Sequence, residues 1–70
     1  MNDSQRPVAL VTGGARRIGR AIAFELARAG CDVTITYHRS EDDALNTVNG
    51  LLALGIRAEA IRLPLDDLKA

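Results

Sequence analysis

The fold of this chain is decided by the stretch Val8-Ala9-Leu10-Val11-Thr12-Gly13-Gly14-Ala15-Arg16-Arg17-Ile18-Gly19-Arg20. Its apolar start is typical of a short parallel strand that is buried on both faces. The glycine-rich middle predicts a tight turn, and the second half begins a helix. A helix that follows such a turn directs its free N–H groups at one spot, where they can bind a phosphate. The stretch therefore predicts a strand, an anion-binding turn and a helix.

Three arginines, Arg16, Arg17 and Arg20, crowd the start of this helix. A cation in the first helical turn opposes the helix dipole and costs about 0.3–1 kcal/mol. We therefore expect a negatively charged ligand to offset these charges. The alternative is an ordinary glycine-rich connection between a strand and a helix.

The overall composition limits the classes of protein to which the chain can belong. Its 70 residues allow one small domain, and its formal net charge of +0 argues against nucleic-acid binding by bulk electrostatics. Cys31 is the only cysteine, which excludes a disulfide framework and a cysteine-based metal site and favours a cytoplasmic location. Residues 1–6 predict a flexible polar tail without a signal peptide, and no apolar run is long enough to span a bilayer.

The first helix is predicted from about Arg17 to Ala29, and Gly30 is placed to end it. Its apolar residues recur at spacings of four, four and three and predict a buried stripe of Ile18, Ile22, Leu26 and Ala29. Phe24 lies off this stripe, so we expect it either to be exposed or to pack on a neighbour outside the chain. The segment Asp32–Tyr37 alternates strictly and predicts the second strand.

The second helix is predicted to begin at Ser40, which forms a capping-box-like start with Asp43. Acidic residues fill its first turn, as the helix dipole favours. Gly50 weakens this helix by about 1 kcal/mol relative to alanine, and Gly55 ends it. Its predicted apolar stripe consists of Leu45, Val48 and Leu52, with Ala44 and Leu51 beside them. A third strand is predicted from Arg57 to Leu65.

The resulting β-α-β-α-β order predicts an α/β fold, one Rossmann-type half of a doubly wound parallel sheet. With the spatial strand order 3-2-1, both helices cover the same face of the sheet. The other face, apolar at the first strand, has no cover. We therefore expect residues 7–70 to be an incomplete, truncated segment of a larger domain, or to need a partner surface on the bare face.

The end of the second strand indicates which dinucleotide the turn would bind. An acidic residue there would bind the ribose 2′-OH of NAD, but Tyr37 occupies this place. His38, Arg39 and Ser40 follow and offer two potential cations and a hydroxyl to a 2′-phosphate, which favours NADP. The alternative is a solvated loop with Ser40 as a plain N-cap. Asp66, just past the third strand, either accepts a hydrogen bond from the adenine amino group or is a loop residue at the start of the next helix.

The motif Thr12-Gly13-x-x-x-Arg17-Ile18-Gly19 resembles the T-G-x-x-x-G-x-G pattern at the N-terminus of short-chain dehydrogenases/reductases. Gly30 and Asp66 fit the same pattern, whereas Arg17 replaces its middle glycine. Together with Tyr37-His38-Arg39-Ser40, the motif looks most like the pteridine reductase and dihydromonapterin reductase branch. That resemblance implies that Arg17 lies near the cofactor phosphates and the pterin. It also implies that the His-Arg-Ser cluster receives the 2′-phosphate of NADPH.

The resemblance further implies hydride transfer from NADPH to a carbonyl or a pterin C=N. The catalytic Ser and Tyr-x-x-x-Lys of that family lie downstream of the matched segment, so we assign no catalytic residue and no metal ligand to this chain. Two alternatives remain open, namely a non-catalytic dinucleotide-binding module and a nonfunctional truncated product. The residues predicted to bind the cofactor are Gly13, Arg16, Arg17, Ile18, Gly19, Tyr37, His38, Arg39, Ser40 and Asp66.

Overall fold

The computed structural model describes residues 6–63 and contains three strands and two helices within them. The elements are β1 (Val8–Val11), α1 (Arg17–Arg28), β2 (Asp32–Tyr37), α2 (Glu41–Leu52) and β3 (Ala58–Arg62). The predicted β-α-β-α-β order is confirmed; α1 ends one residue earlier than predicted, and β3 begins one residue later. The predicted end of the third strand and Asp66 lie outside the described residues.

The three strands form one parallel sheet in the order β1-β2-β3, as predicted. β1 pairs with β2 from Val8↔Asp32 to Val11↔Ile35, and β2 pairs with β3 from Val33↔Ala58 to Tyr37↔Arg62. Because the strands are parallel, their carboxyl ends meet at one edge of the sheet. The glycine turn after β1 and the connection after β2 therefore lie side by side at this edge.

The core lies between one face of the sheet and the two helices. It consists of Val11, Ala15, Ala23, Ala27, Val33, Ile35, Ala44, Leu51 and Ile56. The strand residues in this set alternate with residues that face away from the helices. On that opposite face, Val8 and Leu10 are 68% and 65% exposed. The predicted bare apolar face is thus present in the part of the chain that the structure describes.

The predicted stripe of α1 is wrong in its orientation. Ile18 is 76% exposed, and Ile22 and Ala29 are also exposed. The buried residues are Ala23 and Ala27, which follow Gly19 at intervals of four. Gly19 packs directly on the backbone of Gly13. This contact at the start of α1 turns its small residues, rather than its large apolar ones, toward the sheet.

The predicted stripe of α2 is right for Ala44 and Leu51 and wrong for Leu45 and Leu52. Leu45 and Leu52 are exposed, whereas Ala44, Thr47 and Leu51 are buried. Thr47 can take a core position because its hydroxyl donates to the carbonyl of Asp43 at 2.8 Å, which satisfies the buried polar atom.

The predicted capping box at the start of α2 does not form. Ser40 is the N-cap residue, and its backbone carbonyl accepts the N–H of Ala44 at 2.9 Å, but its side chain makes no capping hydrogen bond. The predicted acidic first turn is confirmed as Glu41, Asp42 and Asp43. These carboxylates complement the helix dipole without help from the serine hydroxyl.

Phe24 packs against α2, so both expectations for this residue are wrong. A Cβ added at Gly50 would lie 2.7 Å from Cζ of Phe24, which shows that the ring occupies the space left by this glycine. The guanidinium of Arg20 lies 4.7 Å from the ring centroid, and that of Arg28 lies 5.8 Å from it. The aromatic ring joins the two helices and is flanked by two cations of α1.

Neither helix in the described part of the chain has the length and apolar character that crossing a membrane requires.

Candidate functional site

The glycine turn is held in shape by two different glycine requirements. Gly13 has a φ of +67°, in the left-handed region that a residue with a Cβ adopts only with strain. Gly19 is needed for space, because an added Cβ would overlap the carbonyl oxygen of Gly13 and lie 3.1 Å from Cα of Gly14. The turn and the first turn of α1 therefore form one close-packed unit.

Arg17 has a φ of +42°, also in the left-handed region. It is the position at which the T-G-x-x-x-G-x-G pattern has its middle glycine. A glycine would adopt this conformation without strain, whereas the arginine of this chain adopts it with strain. A strained residue at a binding turn is consistent with selection for its side chain rather than for stability.

The start of α1 carries three arginines that form no ion pair with the described residues. No acidic residue occupies its first turn, and the N-cap residue Arg16 makes no side-chain capping hydrogen bond. Within residues 6–63, no carboxylate forms an ion pair with Arg16, Arg17 or Arg20. The helix dipole and the three guanidinium groups together favour an anionic ligand at this place.

A cavity of about 200 Å³ joins the glycine turn to the end of β2. From the turn it is lined by Gly13, Ala15 and Arg16, and from the β2–α2 connection by Tyr37, His38, Arg39 and Ser40. The two groups of residues that the sequence singled out separately therefore lie around one cavity. Arg39 forms no ion pair within residues 6–63, and the hydroxyl of Ser40 is not used in helix capping.

A second cavity of about 380 Å³ lies between the starts of the two helices. It is lined by Ala15, Arg16, Arg17, Arg20, Asp43 and Asn46. Arg16 borders both cavities, so a ligand phosphate in either one would come under its charge. Asp43 is the acidic member of this lining and opposes an anion that enters from the side of α2.

Not every predicted site residue lines these cavities. Ile18 is highly exposed and borders neither of them, and Gly19 acts through its contact with the turn. Asp66 lies outside the described residues.

Two buried threonines that sequence reasoning missed contact the turn. Thr36 of β2 accepts the N–H of Gly13 on its Oγ1 at 3.2 Å, and its carbonyl accepts the N–H of Gly14, also at 3.2 Å. Oγ1 of Thr47 lies 3.4 Å from the carbonyl oxygen of Ala15. The position of Thr36, one residue before the end of the strand beside β1, was the signal that could have revealed it.

At the opposite edge of the sheet, where β2 and β3 begin, the charged groups are paired with one another. Asp32 accepts the backbone N–H of Arg57 on Oδ1 at 2.9 Å, and Nη1 of Arg6 lies 3.4 Å from the same oxygen. A cavity of about 300 Å³ lies beside these groups. The carboxylate of Asp32 is already paired with the backbone of Arg57 and the side chain of Arg6, so we interpret this edge as structural. No group of His, Cys, Asp and Glu in residues 6–63 could hold a metal ion.

The chain is similar in sequence and fold to known proteins. Residues 7–70 match the family model described as short chain dehydrogenase. The chain is 50% identical over 58 residues to the hydroxynaphthalene reductase of Aspergillus fumigatus, a match that covers 83% of this chain and 21% of that protein. The chain thus spans about a fifth of that relative's length.

The similar solved structures include complexes with NADP. A short-chain dehydrogenase of Burkholderia cenocepacia is 54% identical with a TM-score of 0.80, over 87% of this chain and 25% of that one. The alternative dihydrofolate reductase FolM of Brucella canis is 41% identical with a TM-score of 0.78, over 84% of this chain and 24% of that one. Because these relatives carry different activities in their names, the similarity does not single out the pteridine reductase branch.

Proposed function

Because the chain belongs to the short-chain dehydrogenase family, we propose that it forms the NADPH-binding part of a reductase. The observation that carries this proposal is the cavity that joins the glycine turn to Tyr37, His38, Arg39 and Ser40. One wall supplies a helix N-terminus for a pyrophosphate, and the other supplies groups for a 2′-phosphate.

The donor groups fit the two ends of such a cofactor. The first turn of α1 has backbone N–H groups without a side-chain cap, and Arg16 adds a positive charge beside them. Arg39 and the hydroxyl of Ser40 line the far side of the same cavity. Guanidinium and hydroxyl groups bind phosphate oxygens strongly, whereas a ribose 2′-OH is best bound by a carboxylate.

The choice of NADP over NAD is supported by the residue that ends β2. Tyr37 stands where a carboxylate would bind the 2′-OH of NAD, and the cation Arg39 follows two positions later. Two proteins similar to this chain were solved with NADP. Both observations favour a 2′-phosphorylated cofactor.

We further propose that the protein transfers hydride to a carbonyl or a C=N group, as the reductase relatives suggest by name. Bound NADPH supplies the hydride, and the residues described here bind and orient it. A pterin-like substrate is a finer proposal, which rests on the resemblance to the pteridine reductase branch and on the similarity to a protein named an alternative dihydrofolate reductase. No residue of this chain is assigned to proton transfer. The bare sheet face exposes the apolar side chains of Val8 and Leu10. We propose that this face is covered either by further residues of a protein as long as the relatives or by a partner surface.

The proposal is tested by titrating the protein with NADPH and with NADH. Binding is followed by the fluorescence of the reduced nicotinamide, which is excited at wavelengths that the protein does not absorb. We expect tighter binding of NADPH, and we expect Arg39→Ala to weaken NADPH binding about tenfold or more while changing NADH binding little.

Arg57→Ala is the matched control, because it removes an exposed arginine at the opposite edge of the sheet. It should leave both affinities unchanged. Equal affinities for NADPH and NADH in the wild-type protein, or an Arg39→Ala effect that is the same for both, would contradict the assignment of the 2′-phosphate site.

A further inference from the structure

Thr36 lies outside the glycine motif but accepts two hydrogen bonds from the turn. It lies near the carboxyl end of β2, is 6% exposed, and receives hydrogen bonds from both glycines of the turn. The N–H of Gly13 donates to its side chain, and the N–H of Gly14 donates to its backbone carbonyl. A single residue of the neighbouring strand therefore holds two successive peptide groups of the turn.

These hydrogen bonds decide which N–H groups can bind a phosphate. Because the N–H groups of Gly13 and Gly14 already have partners on β2, they are not donors to a ligand. The candidates that remain include the N–H groups of the first turn of α1, whose start is fixed by the packing of Gly19 on Gly13. The position of those groups thus depends on where Thr36 holds Gly13.

We propose that Thr36 is a positioning residue for the pyrophosphate site: its hydroxyl oxygen fixes Gly13, and Gly13 fixes the N-terminus of α1. This inference rests on the proposed NADPH-binding function. It assigns to Thr36 no contact with the cofactor. It also separates Thr36 from the residues of the 2′-phosphate site, since the pyrophosphate is common to NADPH and NADH.

Three substitutions at this position isolate the hydroxyl oxygen. Thr36→Val keeps the shape of the side chain but leaves the N–H of Gly13 without its acceptor, whereas Thr36→Ser keeps the acceptor and loses only a methyl group. Thr36→Ala removes both. The comparison of Ser with Ala measures the oxygen at similar packing, even if the Val variant folds poorly.

Thr34→Val is the matched control, because Thr34 lies two residues earlier on the same face of β2. Its hydroxyl contacts Glu59 at 3.3 Å and not the turn. All variants are titrated with NADPH and NADH, and circular dichroism compares their folded content. Amide hydrogen exchange measures the protection of Gly13.

We expect Thr36→Val and Thr36→Ala to weaken NADPH and NADH binding by the same factor, about tenfold. Thr36→Ser and Thr34→Val should remain within about twofold of the wild type. The Val and Ala variants should also exchange the Gly13 amide faster. A constant ratio of NADPH to NADH affinity distinguishes this role from that of Arg39.

Wild-type affinity in folded Thr36→Val and Thr36→Ala variants would overturn the inference. So would an equal loss of affinity in Thr36→Ser and Thr36→Ala, or a loss confined to NADPH. A wild-type protein that binds neither nucleotide would instead refute the proposed function, which makes the two failures distinguishable.

Discussion

Gly19→Ala tests the close contact between α1 and the glycine turn. A methyl group at this position would overlap the carbonyl oxygen of Gly13 and lie 2.9 Å from its carbonyl carbon and 3.1 Å from Cα of Gly14. All three atoms belong to the backbone, so the clash cannot be relieved by rotating a side chain. The helix start and the turn must separate.

Two opposing effects determine how much Gly19→Ala changes the free energy of unfolding. Alanine favours a helix over glycine by up to about 1 kcal/mol. Overpacking in a close-packed site costs about 1–3 kcal/mol, and a backbone clash belongs at the upper end of that range. We therefore expect a net loss of about 1–2 kcal/mol in the free energy of unfolding. For a domain of this size, that loss corresponds to a fall of about 4–16 °C in Tm.

Gly50→Ala is the matched control within the same protein. Gly50 lies inside α2, so alanine brings the same gain in helix propensity. Its new methyl group would meet the far end of the Phe24 ring at 2.7 Å, and that ring can shift. We expect the stability of this variant to remain within about 1 kcal/mol of the wild type.

Urea denaturation followed by circular dichroism measures both variants, and NADPH titration measures the site. Gly19→Ala should lower stability and weaken NADPH binding about tenfold, because the N–H groups of α1 move away from the phosphate position. If Gly19→Ala were as stable as Gly50→Ala and bound NADPH normally, the close packing of helix and turn could not be what builds the site.

Two other substitutions test the strain in the turn and the structural role of the opposite edge. Arg17→Gly should raise the free energy of unfolding by about 1 kcal/mol, because glycine adopts the positive φ without strain and because the substitution removes a cation from the helix start. The same variant should bind NADPH more weakly, and an unchanged stability in urea denaturation would contradict the strain at this position. Asp32→Ala should lower stability by about 1–2 kcal/mol, because the N–H of Arg57 and the guanidinium of Arg6 lose their acceptor. Its NADPH affinity should stay within about twofold of the wild type, and a larger loss would place this edge within the binding site.

The order of the elements and the strand order could be predicted because they depend on local patterns and on the few ways in which parallel strands connect. The buried face of α1 could not be predicted, and that of α2 was predicted only in part. In α1, periodicity selects the large apolar side chains Ile18 and Ile22, whereas the observed packing brings Ala23 and Ala27 inward. The contact between Gly19 and Gly13 determines which face of α1 turns toward the sheet. The spacing of apolar residues along the sequence does not reveal that contact.

The site could be predicted in part for a similar reason. The carboxyl ends of neighbouring parallel strands meet, so residues after β1 and β2 are brought to one cavity. Thr36 escaped notice because its partner is a backbone N–H group, which no side-chain motif records. The packing of Phe24 could not be predicted, because its ring fills the space beside a glycine of another helix.

We propose above all that the glycine turn and the β2–α2 connection form one NADPH site. An NMR titration of the isotope-labelled protein with NADPH tests it most directly, because each backbone amide reports its own environment. We predict that the amides of residues 13–20 and 37–41 shift together with a single Kd, whereas those near Asp32 and Arg57 do not. Shifts confined to one of the two segments, or shifts centred on the Asp32 edge, would contradict the account.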